Sequence, residues 1–128
     1  GKEKLMRALN VLVIDDDPCV LDFFARLLKE KNHKYKLTHD KEEALSAARE
    51  EKFDLVFLDL VLKDVNGIEL YKEIKELLPE ATVVVITGYP QKVKEIEGAL
   101  EIAGCLYKPF EIDKVLDYLK ELKDKWRL

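Results

Sequence analysis

Cysteine is scarce in this chain of 128 residues: there are two, Cys19 and Cys105. Two cysteines do not make a disulfide framework, and a reducing, cytoplasmic setting is expected. No apolar run approaches membrane-spanning length, and the opening GKEKLMRALN lacks a signal-peptide stretch. Neither a membrane partner nor secretion is therefore expected. Gly1 to Leu5, ahead of Met6, read as an expression remnant or a flexible N-terminus. Repeats and low-complexity linkers are missing too. Positive charge is not in surplus: the formal net charge is −4, which disfavours direct nucleic-acid binding. What is present suits a folded protein. Hydrophobic residues make up 48% and charged residues 38%, unlike a disordered chain. The length suits one domain, residues 1–128, with little room for a second.

Short apolar runs alternate with helical patterns. Strand-length runs stand at 10–14 (NVLVI), 53–58 (FDLVFL) and 82–87 (TVVVIT), with weaker ones at 34–38 (KYKLT) and 104–107 (GCLY). Between them, Val20, Phe24, Leu27 and Leu28 share one helical face, and Leu70, Ile74, Leu77 and Leu78 repeat that spacing. Ala44, Leu45 and Ala48 mark a shorter helix over 41–50. Val93, Ile96, Leu100 and Ala103 form a looser stripe, with Gly98 inside the expected fourth helix. Ile112, Val115, Leu116, Leu119 and Leu122 mark the last helix. Five βα units imply a parallel sheet with right-handed crossovers. Continuous apolar runs suit strands covered on both faces, so the first, third and fourth strands belong in the centre. Lys34 and Lys36 suit the second strand to an edge. The expectation is an α/β, flavodoxin-like, doubly wound (βα)5 domain with strand order 2-1-3-4-5. Its ligand site should lie at the carboxyl ends of the strands, beside the first and third.

That placement gives meaning to VLVIDDDP, residues 11–18, where an apolar strand runs into three acids. Adjacent carboxylates disfavour one another's ionisation unless something positive sits with them. Asp17 has a local explanation as a helix N-cap ahead of Pro18. Asp15 and Asp16 need another, and Asp59 ends the neighbouring strand. Thr87 and Lys108 end the fourth and fifth strands. One rim then carries carboxylates suited to Mg²⁺, together with a hydroxyl and an ammonium suited to phosphoryl oxygens. Asp59 is the central candidate nucleophile, since a carboxylate can form an acyl phosphate.

On VLVIDDDP (11–18), DLVFLDLVLKDVNGIEL (54–70), VVVITGYP (83–90) and LYKPFEIDKVL (106–116), the chain resembles the receiver domain of bacterial two-component response regulators. The resemblance implies that Asp59 is the phospho-acceptor, taking its phosphoryl group from the phosphohistidine of a sensor histidine kinase. It implies a Mg²⁺ site made by Asp15, Asp16, Asp59 and the backbone carbonyl of Val61. It gives Thr87, Gly88 and Lys108 to phosphoryl binding and switching, with a cis Lys108–Pro109 bond. Asn66-Gly67 matches the family's turn into the third helix, expected to need positive φ. The family's output surface is the fourth helix, fifth strand and fifth helix, and its partners are an output domain or partner protein and a phosphorylation-dependent second copy. The domain is expected to catalyse its own phosphorylation and slow dephosphorylation rather than act as a separate enzyme. Val61 and Tyr89 flank the approach of water and should tune the phosphoryl lifetime.

Three departures from the family pattern stand out. Lys63 replaces a common proline and is expected to loosen its loop without touching the chemistry. The segment from Thr87 to Lys108 is one residue short. The switch-aromatic position holds Cys105, most simply a small core residue, and the nearest aromatic is Tyr107. Two other classes fit less well. A haloacid-dehalogenase-like phosphatase would need an acid where Val61 stands. A flavodoxin-like flavin protein would not place three acids against its cofactor's phosphate. A stand-alone regulator and a receiver cut from a larger protein both remain open.

Overall fold

The computed structural model describes residues 8–98 and 100–125. Gly1–Leu5 lie outside the described residues. The chain alternates β1 (Asn10–Ile14), α1 (Pro18–Glu30), β2 (Lys34–Thr38), α2 (Lys41–Glu50), β3 (Leu55–Asp59), α3 (Gly67–Leu77), β4 (Thr82–Thr87), α4 (Pro90–Ile96), β5 (Gly104–Tyr107) and α5 (Ile112–Asp124). Every strand pairing is parallel, and the order is β2-β1-β3-β4-β5. Strand character alone had implied this order. Among the described residues, no helix is long and apolar enough to cross a membrane.

The period-2 alternation of strand side chains divides the core into two layers. Leu12, Ile14, Val56 and Leu58 pack with Ala44 of α2 and with Leu70 and Ile74 of α3. Val11, Val13, Leu55 and Phe57 pack with Phe24 and Leu28 of α1 and with Val115 and Leu119 of α5. Phe24 and Phe57 are fully buried with ring centroids 4.8 Å apart, each burial contributing about 1.5–3 kcal/mol. The α4 side is thinner: Ile96 joins Leu60 and Val85 in a small separate cluster.

Local chemistry sets the helix starts. The Asp17 carboxylate accepts the Cys19 N–H at 2.9 Å, with Pro18 in the first turn, as expected. Asp40 accepts the Glu43 N–H at 2.8 Å, while Glu43 accepts the His39 N–H at 3.0 Å. Asn66 accepts from both Ile68 and Glu69 N–H. These bonds satisfy donors that a helix start leaves unpaired.

Three sequence expectations need correction. β3 begins at Leu55, not at residue 53, because the Asp54 carboxylate turns aside to accept the Asn10 N–H at 2.8 Å. Asn66-Gly67 is not a positive-φ turn: Asn66 has φ −81°, and no described glycine has positive φ. The left-handed residue of that loop is Asp64, at φ 59°. Gly67 is instead needed for space, since a Cβ there would lie 2.3 Å from the Leu60 carbonyl oxygen. Finally, α4 stops at Ile96, so Gly98 lies beyond the helix rather than inside it. Glycine loses the most backbone freedom in a helix, and the chain must soon enter β5 alongside β4, where the Ala103 N–H donates to Val83 O at 2.8 Å.

Candidate functional site

The carboxyl ends of β1, β3, β4 and β5 meet on one rim. Ile14 pairs with Leu58, so Asp15 and Asp59 are the next residues of adjacent strands. Both are buried, while Asp16 is exposed. One carboxylate oxygen from each of the three lies within 4.8 Å of the others. Unbalanced, such a cluster would be strongly repulsive.

The rim supplies both a cation and amide donors. Lys108 Nζ lies 3.0 Å from Asp15 Oδ2 and 3.1 Å from Asp59 Oδ2, donating a hydrogen bond to the latter. The Asp17 N–H donates to Asp15 Oδ1 at 2.8 Å, and the Val61 N–H donates to Asp59 Oδ1 at 2.8 Å. Burial still dominates at Asp59. It pushes the carboxyl up to about 6, with the Asp15 charge adding to the rise and the Val61 and Lys108 bonds opposing it. Burial also opposes the Lys108 charge, but Asp15 and Asp59 outweigh it and the ammonium's pKa is raised.

Thr87 is fully buried at the end of β4, and its Oγ1 accepts the Tyr89 N–H at 3.0 Å. Beside it the Lys108 N–H donates to Thr87 O at 2.8 Å, and the Lys108–Pro109 peptide is cis. At Gly88 a Cβ would make only an ordinary contact with Lys108 Cβ at 3.9 Å. Val61 and Tyr89 are 40% and 52% exposed. Cys105 is a free, half-buried thiol beside the Leu60, Val85 and Ile96 cluster, its pKa raised chiefly by burial. Tyr107 is 46% exposed.

Two residues gain contacts that sequence reasoning missed. The Lys63 N–H donates to Asp16 Oδ2 at 3.2 Å, so Lys63 does touch the acid cluster, against expectation. Only the absence of proline there hinted at it. Tyr118 of α5 accepts the Cys105 N–H at 3.1 Å, its phenol lying where a Gly104 Cβ would otherwise stand.

A family model described as the response regulator receiver domain matches residues 11–120. The chain belongs to this family. It is similar to the transcriptional regulatory protein ZraR of Klebsiella oxytoca, 33% identical over 94% of the chain and 27% of ZraR. It is also similar to the sensory transduction protein LytT of Bacillus subtilis, 31% identical over 90% of the chain and 48% of LytT. The chain thus spans between about a quarter and a half of these curated relatives. A Burkholderia pseudomallei response regulator, crystallised with a phosphorylated aspartic acid, calcium ion and citrate, superposes with TM-score 0.76 at 30% identity. That match covers 93% of this chain and 71% of the other. A CheY-like receiver from Methanospirillum hungatei shares the fold, with TM-score 0.84 at 24% identity over 94% of this chain and 98% of that one.

The acid cluster of this receiver suits a hard cation. Its donors are all oxygens, and Asp15 Oδ2 is buried with no hydrogen bond, holding Lys108 as an ion-pair partner only. Such an oxygen is what Mg²⁺ or Ca²⁺ seeks.

Proposed function

We propose that Asp59 accepts a phosphoryl group from the phosphohistidine of a sensor histidine kinase in a Mg²⁺-dependent reaction. The observation that carries this reading is the convergence of Asp15 and Asp59 on one Lys108 ammonium, with Asp16 alongside. A carboxylate oxygen of Asp59 attacks phosphorus. The P–N bond breaks as the O–P bond forms, and its electron pair returns to the imidazole nitrogen. Asp15, Asp16, Asp59 and the Val61 carbonyl would hold Mg²⁺, which when bound neutralises phosphoryl charge. Lys108 exchanges one carboxylate partner for a phosphoryl oxygen, and the Thr87 hydroxyl and the backbone at Gly88 meet the others.

Phosphorylation then shifts an equilibrium between two conformations of the α4, β5 and α5 surface. An output domain or partner protein reads that surface, or a second phosphorylated copy pairs on it, in the cytoplasm. The switch position holds Cys105 and the nearest aromatic, Tyr107, is 46% exposed, so a threonine–aromatic coupling in this chain would have to run through Tyr107. The test of the acceptor is intact mass after acetyl phosphate and Mg²⁺. Wild type should gain one phosphoryl group and Asp59→Asn none. Undiminished labelling of the variant places the acceptor elsewhere.

The lifetime of the phosphoryl group follows from its neighbours. Val61 offers water no proton acceptor, and Tyr89 brings neither a carboxylate nor an imidazole to the approach. General-base help, worth about 10²–10⁴-fold where present, is lacking, so self-dephosphorylation is slow. Val61→Asn with Tyr89→Glu should shorten the lifetime, followed as loss of the phosphorylated mass after desalting. A double variant no faster than wild type refutes this role.

A further inference from the structure

Each of the three clustered carboxylates accepts one backbone N–H, but the three bonds differ in origin. Asp15 takes its donor from Asp17 and Asp59 takes its own from Val61, each two residues along the chain. Such local turns need only an N–H on the second residue and a short stretch of chain. Asp16 takes its donor from Lys63, 47 residues away and in the β3–α3 loop. That bond joins two loops, and it exists only because residue 63 is not proline, which has no N–H.

Asp16 is also the one exposed member of the cluster. An exposed carboxylate on a loop is free to turn into water, away from the repulsion of Asp15 and Asp59. The Lys108 ammonium sits between those two, at 3.0 Å and 3.1 Å. With the Lys63 bond in place, an Asp16 oxygen lies within 4.8 Å of oxygens from both other acids. The bond is made by Oδ2.

We propose that the Lys63 backbone N–H is a positioning group for the cation site: it holds the Asp16 carboxylate turned inward, and so raises the affinity of the metal-free receiver for a divalent cation. The inference rests on the cation-site reading above. Lys63 itself would not touch the cation. Its N–H acts through Asp16, and the Lys63 side chain has no part in it. Ordering Asp16 before the cation arrives removes part of the cost of binding.

The experiment compares two substitutions at one position. Lys63→Ala keeps the N–H, and Lys63→Pro deletes it. Mg²⁺ affinity is measured by calorimetry on the intact chain. Lys63→Ala should bind as wild type does, and Lys63→Pro about three- to tenfold more weakly, the effect of one modest hydrogen bond. Proline also restrains Leu62, so loop distortion must be separated from the lost donor. Asp16→Ala does this. If the bond is responsible, Lys63→Pro has no further effect on Mg²⁺ affinity in the Asp16→Ala background. An equal loss in both backgrounds overturns the proposal, as does wild-type affinity in Lys63→Pro. A second readout needs no metal: exchange of the residue 63 amide in EDTA should be slower in wild type than in Asp16→Ala. Equal exchange overturns the tether itself. Wild-type protein that binds no Mg²⁺ but shows the protected amide refutes the cation reading instead, and with it the positioning role.

Discussion

The two halves of the sheet are built to different standards. On the β2-β1-β3 side, α1, α2 and α3 run 13, 10 and 11 residues, and a side chain caps each start: Asp17, Asp40 and Asn66. On the β4-β5 side, α4 has 7 residues, and neither Tyr89 nor Glu111 makes a side-chain cap for α4 or α5. The three carboxylates stand on the first half, and Thr87 and Lys108 on the second. The acids, which must keep a repulsive arrangement, sit on the well-secured elements. Under the proposed function, the groups that follow a phosphoryl group end the two strands whose next helices, α4 and α5, start without a side-chain cap.

The largest expected difference between the halves lies at two glycines, one in each. At Gly67 an added Cβ meets the Leu60 backbone at 2.3 Å, and at Gly104 it meets the Tyr118 phenol oxygen at 2.0 Å. Backbone cannot step aside, whereas a side chain can swing out. Gly67→Ala should cost about 3 kcal/mol, the upper range of overpacking. Gly104→Ala should cost about 1–2 kcal/mol, including the Tyr118 bonds to Cys105 N–H and C=O. Urea melts measure both. Equal losses would mean the β5 side is as unyielding as the β3 side.

The next effect sharpens the electrostatic side of the contrast. The Asp59 pKa is raised to about 6, so the folded chain takes up this proton before the unfolded chain does. Stability therefore falls as pH rises from the unfolded carboxylate value, about 3.9, through 6, and the penalty persists above that. A shift of this size corresponds to about 2–3 kcal/mol. In EDTA, Asp59→Asn should be more stable than wild type at pH 7, with the gap closing by pH 4. Mg²⁺ should stabilise wild type more than the variant. A variant less stable than wild type at pH 7 would show that the Lys108 bond outweighs the repulsion.

The smallest effects test the caps. Asn66→Ala should destabilise by about 1 kcal/mol. Tyr89→Ala removes no cap bond and should change stability less. In amide exchange, α4 should be less protected than α1, α2 and α3. An α4 as slow as α1 would dissolve the distinction between the halves.

Much of this architecture was legible in residue order, because its signals are local or periodic. The apolar runs told central strands from edges, and the strand order followed. Asp17-Pro18 announced its helix, since a cap and its donor are near neighbours. Asp15, Asp16, Asp59, Thr87 and Lys108 were placed on one rim because each stands at a strand end, and a parallel sheet brings those ends together. Tertiary structure alone decided the rest. Where α4 stops depends on how soon the chain must enter β5 alongside β4, which no helical stripe records. The sequence Asn66-Gly67 suggests conformational freedom, yet the requirement at Gly67 is space against Leu60 O, visible only once the loop is folded. Lys108 bridging two acids, Tyr118 over Gly104 and Lys63 bonding Asp16 all join residues far apart in the chain. Periodicity assigns a residue to a face or an end. It does not say which donor meets which acceptor there, because loop conformation sets that distance.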